Sequence, residues 1–234
     1  PYPQVLRPVF ERTRALFDGL KKLILPEADI VYEDGALDAF TILEDVWDGT
    51  SVKPTEGDGT ENNPYKIYNG SHLYWAVTNN NKGVYFEVQN DIILNDMVVD
   101  LENKSVVIDQ NTHQWYLDGS NEAVRFEGII DGKKHVIKGL YIDNDYKATE
   151  QKWNHGAGLI ARAGDGAKIK NLAINDSYIK AVNGAASAFV GTTGSGVYDV
   201  SLENCYVGEN VYIFGAEAGG MIGAGNGSGY VSGI

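Results

Sequence analysis

Gly158-Leu159-Ile160-Ala161 returns as Ala188-Phe189-Val190-Gly191 and again as Gly220-Met221-Ile222-Gly223, at spacings of 30 and 32 residues. Two further similarities run beside it. Ile137 to Ile142 matches Ile169 to Ile174, and Asn175 to Ile179 loosely matches Glu203 to Val207. Self-similarity near 30 residues points to units stacked on one another, each too small to bury its own apolar face. Within a unit, short runs such as Leu172-Ala173-Ile174 alternate inward and outward residues, with Gly, Asn, Asp and Ser between them. That is strand-and-turn chemistry. Helical repeats of similar period need two helices per unit, which the glycines oppose. The expectation is an all-β fold, a β-solenoid whose core is built by stacking. An antiparallel sandwich with chance similarity is the alternative.

Charge narrows the function classes. The 234-residue chain carries 19 basic and 32 acidic side chains, a net charge of −13. Nucleic-acid binders need a basic face, so that partner is excluded, and an anionic membrane surface is disfavoured. Residues 1–25 are basic, with five Arg or Lys and two acids, whereas residues 26–64 hold eleven acids and one Lys. The acidic stretch reads as a solvated connector, with a weak calcium site as the alternative; no other cofactor is expected. No apolar run is long enough to span a membrane, so no membrane insertion is expected of this segment. Cys205 is the sole cysteine, so no internal disulfide can form; a buried small apolar role is expected of it. The chain starts with Pro1 and stops at Ile234 inside a repeat. It is therefore expected to be a piece of a longer polypeptide.

Three segments follow in order. Residues 1–46 should be a helical cap or small module, because Val5, Leu6, Val9, Phe10, Leu16, Phe17 and Leu20 recur at helical spacing. Residues 47–64 form the acidic, turn-rich connector, and residues 65–234 the solenoid. Within the solenoid, Ser71 is a plausible cap for a short helix through Val77. Met97 to Leu101 and Ser105 to Ile108 continue the strand rhythm, and Asp131-Gly132 reads as a turn. Leu159, Phe189 and Met221 should stack down the interior, as should Ile174 and Leu202. Asn171, Asn175 and Asn204 are candidates for side-chain ladders at the corners.

Several segments resemble bacterial cell-surface repeat proteins that carry the GLUG motif. They are Trp47-Asp48-Gly49-Thr50, the stretch Gly57 to Ile67, Asn90-Asp91-Ile92-Ile93-Leu94, and Phe126 to Gly132 with His135 to Leu140. The glycine turns named first resemble the motif itself, with Ala161 and Ala188 departing from it. The resemblance covers about residues 47–234. It implies a right-handed parallel β-helix on a secreted or surface-displayed protein, as in adhesins and the scaffold regions of large surface proteins. It carries over no catalytic residue.

Catalysis must still be weighed. Lyase chemistry needs a cation on several carboxylates and a basic side chain; hydrolase chemistry needs paired carboxylates on neighbouring coils. Asp131, Asp143, Asp145, Asp165 and Asp176 are candidates, but each also reads as a turn or loop residue. Arg125 and Arg162 are the arginines inside the solenoid. His72, His113, His135 and His155 lack metal-ligand spacing. Two loops, 110–121 and 143–155, concentrate aromatics beside polar groups, the chemistry of sugar recognition. Their candidate ligand-binding residues are Trp115, Tyr116, Asp143, Asp145, Tyr146 and Trp153; the alternative is that these rings merely pack the loops down. The reading is a non-catalytic scaffold or adhesin-like segment whose partner is a glycan or a host or cell-surface protein. The alternatives are a carbohydrate-binding segment of a larger enzyme or assembly, and a polysaccharide lyase or hydrolase.

Overall fold

Parallel strand pairing organises the chain. The computed structural model describes residues 46–79, 82–115, 117, 125–144, 156–193 and 199–225, all within the second of two units, Asp45–Ile234. The expected amphipathic helix in residues 5–25 lies outside the described residues. The described part is all-β apart from one helix.

The largest sheet joins β1 (Tyr65–Ile67), β2 (Tyr85–Val88), β6 (Ile129–Lys138), β10 (Ala167–Asn175) and β13 (Val200–Val207), with β3 (Ile92–Ile93) on the second half of β6. A second sheet holds β7 (Tyr141–Asn144), β8 (Gly156–Ala157), β11 (Ser177–Ala186) and β14 (Val211–Ala218). The third holds β9 (Ile160–Ala163), β12 (Val190–Thr193) and β15 (Ile222–Ala224). Every pairing within these three sheets is parallel. From β10 onward the chain visits the first, second and third sheets in turn, then repeats that order. Parallel strands cannot be joined by tight hairpins. From β10 onward the other two sheets serve as each strand's crossover, whereas between β1 and β2 the single helix does.

Alternation along each strand buries one side. Phe86, Ile130, Ile169 and Leu202 form one column across the first sheet, and Ile92, Ile137, Ile174 and Val207 another. Ile142, Ile179 and Ile213 continue the core behind the second sheet. The glycine turns stack as well: Leu159 N–H donates to Ala188 O at 3.0 Å, and Ala188 N–H to Gly220 O at 3.2 Å. Leu159 and Phe189 are fully buried, and Met221 packs partly buried against the same core.

Three expected alignments are corrected by the register. Ile169 pairs with Ile130, not Ile137, and Ile137 pairs with Ile174. Leu202 pairs with Ile169 rather than sharing a column with Ile174. Ser177 to Ile179 pair with Val211 to Ile213, not with Cys205 to Val207. Short apolar triplets look alike in all three sheets, whereas the pleat permits one register that keeps the paired apolar columns inside.

Local expectations shift for similar reasons. Helix α1 (Gly70–Thr78) is capped by Asn69, not Ser71. Asn69 is extended and its Oδ1 accepts from His72 N–H at 2.9 Å, while the Ser71 hydroxyl is engaged by Asp48 and Thr50. Strands β4 (Val98–Asp100) and β5 (Ser105–Val107) form an antiparallel hairpin outside the parallel stack. Its Val98 and Val107, paired across the hairpin, are both mostly exposed. The Asp131-Gly132 turn is a corner inside one continuous strand: β6 runs through it with a register shift against β10.

Gly139 shows how tightly neighbouring segments approach. Its φ is +74°, and a Cβ there would lie 2.1 Å from Asn95 O. The buried Asn95 side chain donates to Gly139 O and His113 O and accepts from His113 N–H, closing the polar groups of this junction.

The buried stack predicts that Phe189→Ala lowers unfolding free energy by about 3–5 kcal/mol, read by chemical denaturation. A loss below about 1 kcal/mol would mean that the turn column carries no core packing.

Candidate functional site

The corners of the first sheet need left-handed backbone, and the sequence supplies residues that tolerate it. Lys133, Lys134, Asn171 and Asn204 have φ of +51°, +71°, +56° and +51°. Asn visits this region more readily than most residues because its short amide can bond locally. Here the amides also bond along the stack. Asn204 Nδ2 donates to Asn171 Oδ1 at 3.2 Å, and Asn171 Nδ2 donates to Asp131 Oδ1 at 3.0 Å. A shorter ladder repeats the arrangement from Asn210 to Asp176, both again at positive φ. The ladder expected for Asn171 and Asn204 is thus present; Asn175 is not one of its members.

Flanking the corner, the outer face of the sheet is a row of charges. Lys66 Nζ lies 2.6 Å from Glu87, Lys133 3.4 Å from Glu87, Lys170 3.3 Å from Asp131, and Lys168 3.0 Å from Glu203. The Lys66 and Gln89 hydrogen bonds hold the Glu87 carboxyl down to about 2. Burial works to raise Asp131, but the Asn171 amide, the Lys133 N–H and Lys170 outweigh it and keep it below the ordinary carboxylate range. An acid held ionised in this way is a poor general acid near neutral pH.

Beside the ladder is a groove of about 300 Å3 lined by Lys134, Asn171, Leu172, Ala173, Asn204 and Tyr206. Tyr206 is 65% exposed and follows the buried Cys205, so strand alternation aims its ring outward. Lys134 has no carboxylate partner among the described residues, unlike the other lysines named above. The groove therefore combines an exposed ring, amides and an unneutralised cation. Sequence reasoning missed it. The available signal was the outward place of Tyr206 in Asn204-Cys205-Tyr206-Val207.

The residues expected to bind ligand fare differently. Trp115 is fully buried, against Trp47 and Tyr74 with ring centroids at 5.0 Å in both cases. Its Nε1 donates to Leu159 O at 3.1 Å. It offers no ring face to a sugar and instead pins its segment to the core through these ring contacts and the indole hydrogen bond. Asp143 is half-exposed and pairs with Lys180 at 3.0 Å. Tyr116, Asp145, Tyr146 and Trp153 lie outside the described residues.

Other carboxylates of catalytic interest are also engaged. Asp165 accepts from Asp199 N–H, and Asp176 from Asn210 Nδ2. In the connector, Asp48 and Asp58 each accept from the N–H and hydroxyl of the Thr two residues on, closing two like turns. Among the described residues no three His, Cys, Asp or Glu side chains gather as a metal site would. Cys205 is buried, which pushes its thiol up to about 11. Tyr141, Tyr178 and Tyr212 stack in a column on the second sheet, the latter two at 5.0 Å and 20°. Tyr178, between the other two, therefore meets rings on both sides. No described helix is long and apolar enough to cross a membrane.

No protein-family model matches the chain. Over 167 residues it is 30% identical to a protein of Evansella cellulosilytica provisionally named a Gly-rich membrane protein, covering 70% of this chain and 17% of that protein. This chain thus spans about a sixth of the length of that relative. Among solved structures, a Bacteroides ovatus protein provisionally named an immunoglobulin A1 protease aligns at 19% identity and a TM-score of 0.35, over 76% of this chain and 66% of that one. That score is too low to equate the two folds.

Two outcomes follow from the ladder and the charge row. Asn171→Gly keeps the left-handed backbone and loses the amide links, whereas Asn171→Ala loses both, so Ala should be the more destabilising, by about 1 kcal/mol. Equal losses in denaturant titrations would show that the corner backbone is unstrained. Glu87 has a folded pKa near 2 against an ordinary 4.5. Its contribution is complete above the ordinary value and is lost as pH falls through the folded one. Glu87→Gln should flatten the stability profile in that window and leave its shape above pH 5 unchanged, as followed by acid titration of the circular dichroism signal.

Proposed function

We propose that this chain is a non-catalytic display segment of a larger protein on the outside of a bacterial cell. In this reading its three parallel sheets are the walls of a right-handed parallel β-helix of the GLUG-repeat kind. One observation carries the non-catalytic reading: among the described residues, the candidate carboxylates that could serve as acid, base or cation ligand are each bonded to a neighbouring strand or turn. Asp131 is tied to Asn171 and Lys170, Asp143 to Lys180, Asp165 to the Asp199 N–H and Asp176 to Asn210. Using any of them chemically would break a contact between windings. The name of the Evansella cellulosilytica relative, a Gly-rich membrane protein, supports a surface setting, as does that protein's much greater length.

A stacked rod suits display because its length grows by about 4.8 Å per winding while its cross-section stays fixed. The outer faces then present side chains at regular intervals, and irregular windings become the places where something can be held. The test is incubation of the protein with polygalacturonate and related acidic polymers, with and without calcium. No new reducing ends and no unsaturated products are expected, and release of either would overturn the reading. Antibody against this segment should label intact cells producing the full-length parent protein; labelling only after lysis would remove the surface assignment.

A further inference from the structure

The first-sheet corner at Lys133-Lys134 is irregular, whereas the same corner between β10 and β13 is not. Between the paired positions Asp131↔Lys170 and His135↔Leu172, β6 holds three residues where β10 holds one. Gly132-Lys133-Lys134 thus opposes the single corner residue Asn171. Two consecutive non-glycine residues sit at positive φ there, each a costly conformation for a lysine. Bulges of this kind re-aim side chains, and here the extra residues set Lys134 on the rim of the groove beneath. The two lysines then part company. Lys133 is drawn back to Glu87, while Lys134 keeps an unneutralised charge beside Asn171, Asn204 and Tyr206.

We propose that this groove binds a saccharide bearing a single carboxylate. The inference goes beyond the display role and does not depend on it. The Tyr206 ring supplies a face for the C–H side of a pyranose, Lys134 pairs with the carboxylate, and Asn204 takes hydroxyl groups. Asn204 spends one N–H on Asn171, leaving its other N–H and its carbonyl oxygen for a ligand. The volume of about 300 Å3 lies at the low end for ligand sites, the size for one or two sugar rings rather than a buried chain. Charge limits the ligand further. A net charge of −13 repels polyanions at long range, but screening over about 8 Å at physiological salt leaves a single carboxylate governed by its nearest cation.

The test compares methyl β-D-glucuronide with methyl β-D-glucoside, which differ at C6 by carboxylate against hydroxymethyl. Saturation-transfer NMR and amide shift titrations of the whole protein report binding. The glucuronide should bind at least fivefold tighter than the glucoside, with shifts centred on residues 134, 171 and 204–206. Lys134→Ala should abolish that preference, and Tyr206→Ala should weaken both sugars. Lys138→Ala, which removes the same charge from the same strand, should leave the preference intact. Both Lys134 and Tyr206 project from the surface, and unchanged amide spectra elsewhere would establish folding of the variants. Equal binding of the two sugars, binding of neither, or an equal loss in Lys138→Ala would each overturn the proposal.

Discussion

Parallel pairing makes each paired residue face its counterpart on the neighbouring strand, and the rest of the structure follows from that restriction. Like then sits on like. For apolar side chains this is favourable without further arrangement, since Phe86, Ile130, Ile169 and Leu202 need only share a direction to bury one another. For charges it is unfavourable, because like charges directly opposite repel. The outer face answers with mixed signs: Lys66 lies opposite Glu87, Asp131 opposite Lys170, and Lys170 opposite Glu203. Glu87 and Asp131 are the exception, paired acid to acid, and each borrows a cation from a neighbouring position. Amides need no such alternation. An Asn both donates and accepts, so a column of them can pass hydrogen bonds along the stack without a change of residue type.

How much of this was legible in the sequence depends on which interaction wrote it. The glycine turns were readable because close backbone approach leaves few residue choices, and Leu159, Phe189 and Met221 stack at their sequence spacing. The corner asparagines were readable for the same reason, since left-handed backbone narrows the choice. The register between turns was not. Ile137 to Ile142 looks like Ile169 to Ile174 by residue type, yet the paired strands align Ile137 with Ile174. A strand needs only an apolar residue at every second place, so identity carries little positional information there. The two-residue excess in β6 then displaced any count made from fixed spacing.

The place of Trp115 was hidden by a related ambiguity. Trp115 lies in a polar stretch, and composition alone suggested exposure. Burial was decided by three-dimensional neighbours, Trp47 and Tyr74, that are 68 and 41 residues away in sequence. Tyr206 was overlooked because it lies inside a strand, where aromatics are expected to pack. Its alternation with Cys205 was the better guide, since a strand cannot bury both of two adjacent side chains against one core.

A uniform stack of parallel strands has no preferred place for a ligand, because each strand repeats the surface of the last. Recognition needs a break in the repeat, and a break costs stability unless the neighbouring windings enforce it. At Lys133-Lys134 they do. Asp131 on one side of the bulge accepts from Asn171 and from the Lys133 N–H, and His135 and Val136 on the other are held by Asp91. Both ends of the irregular segment are therefore fixed before a ligand arrives. A charge presented from such a segment loses little freedom on binding, which is the condition under which one lysine can discriminate between two otherwise similar sugars.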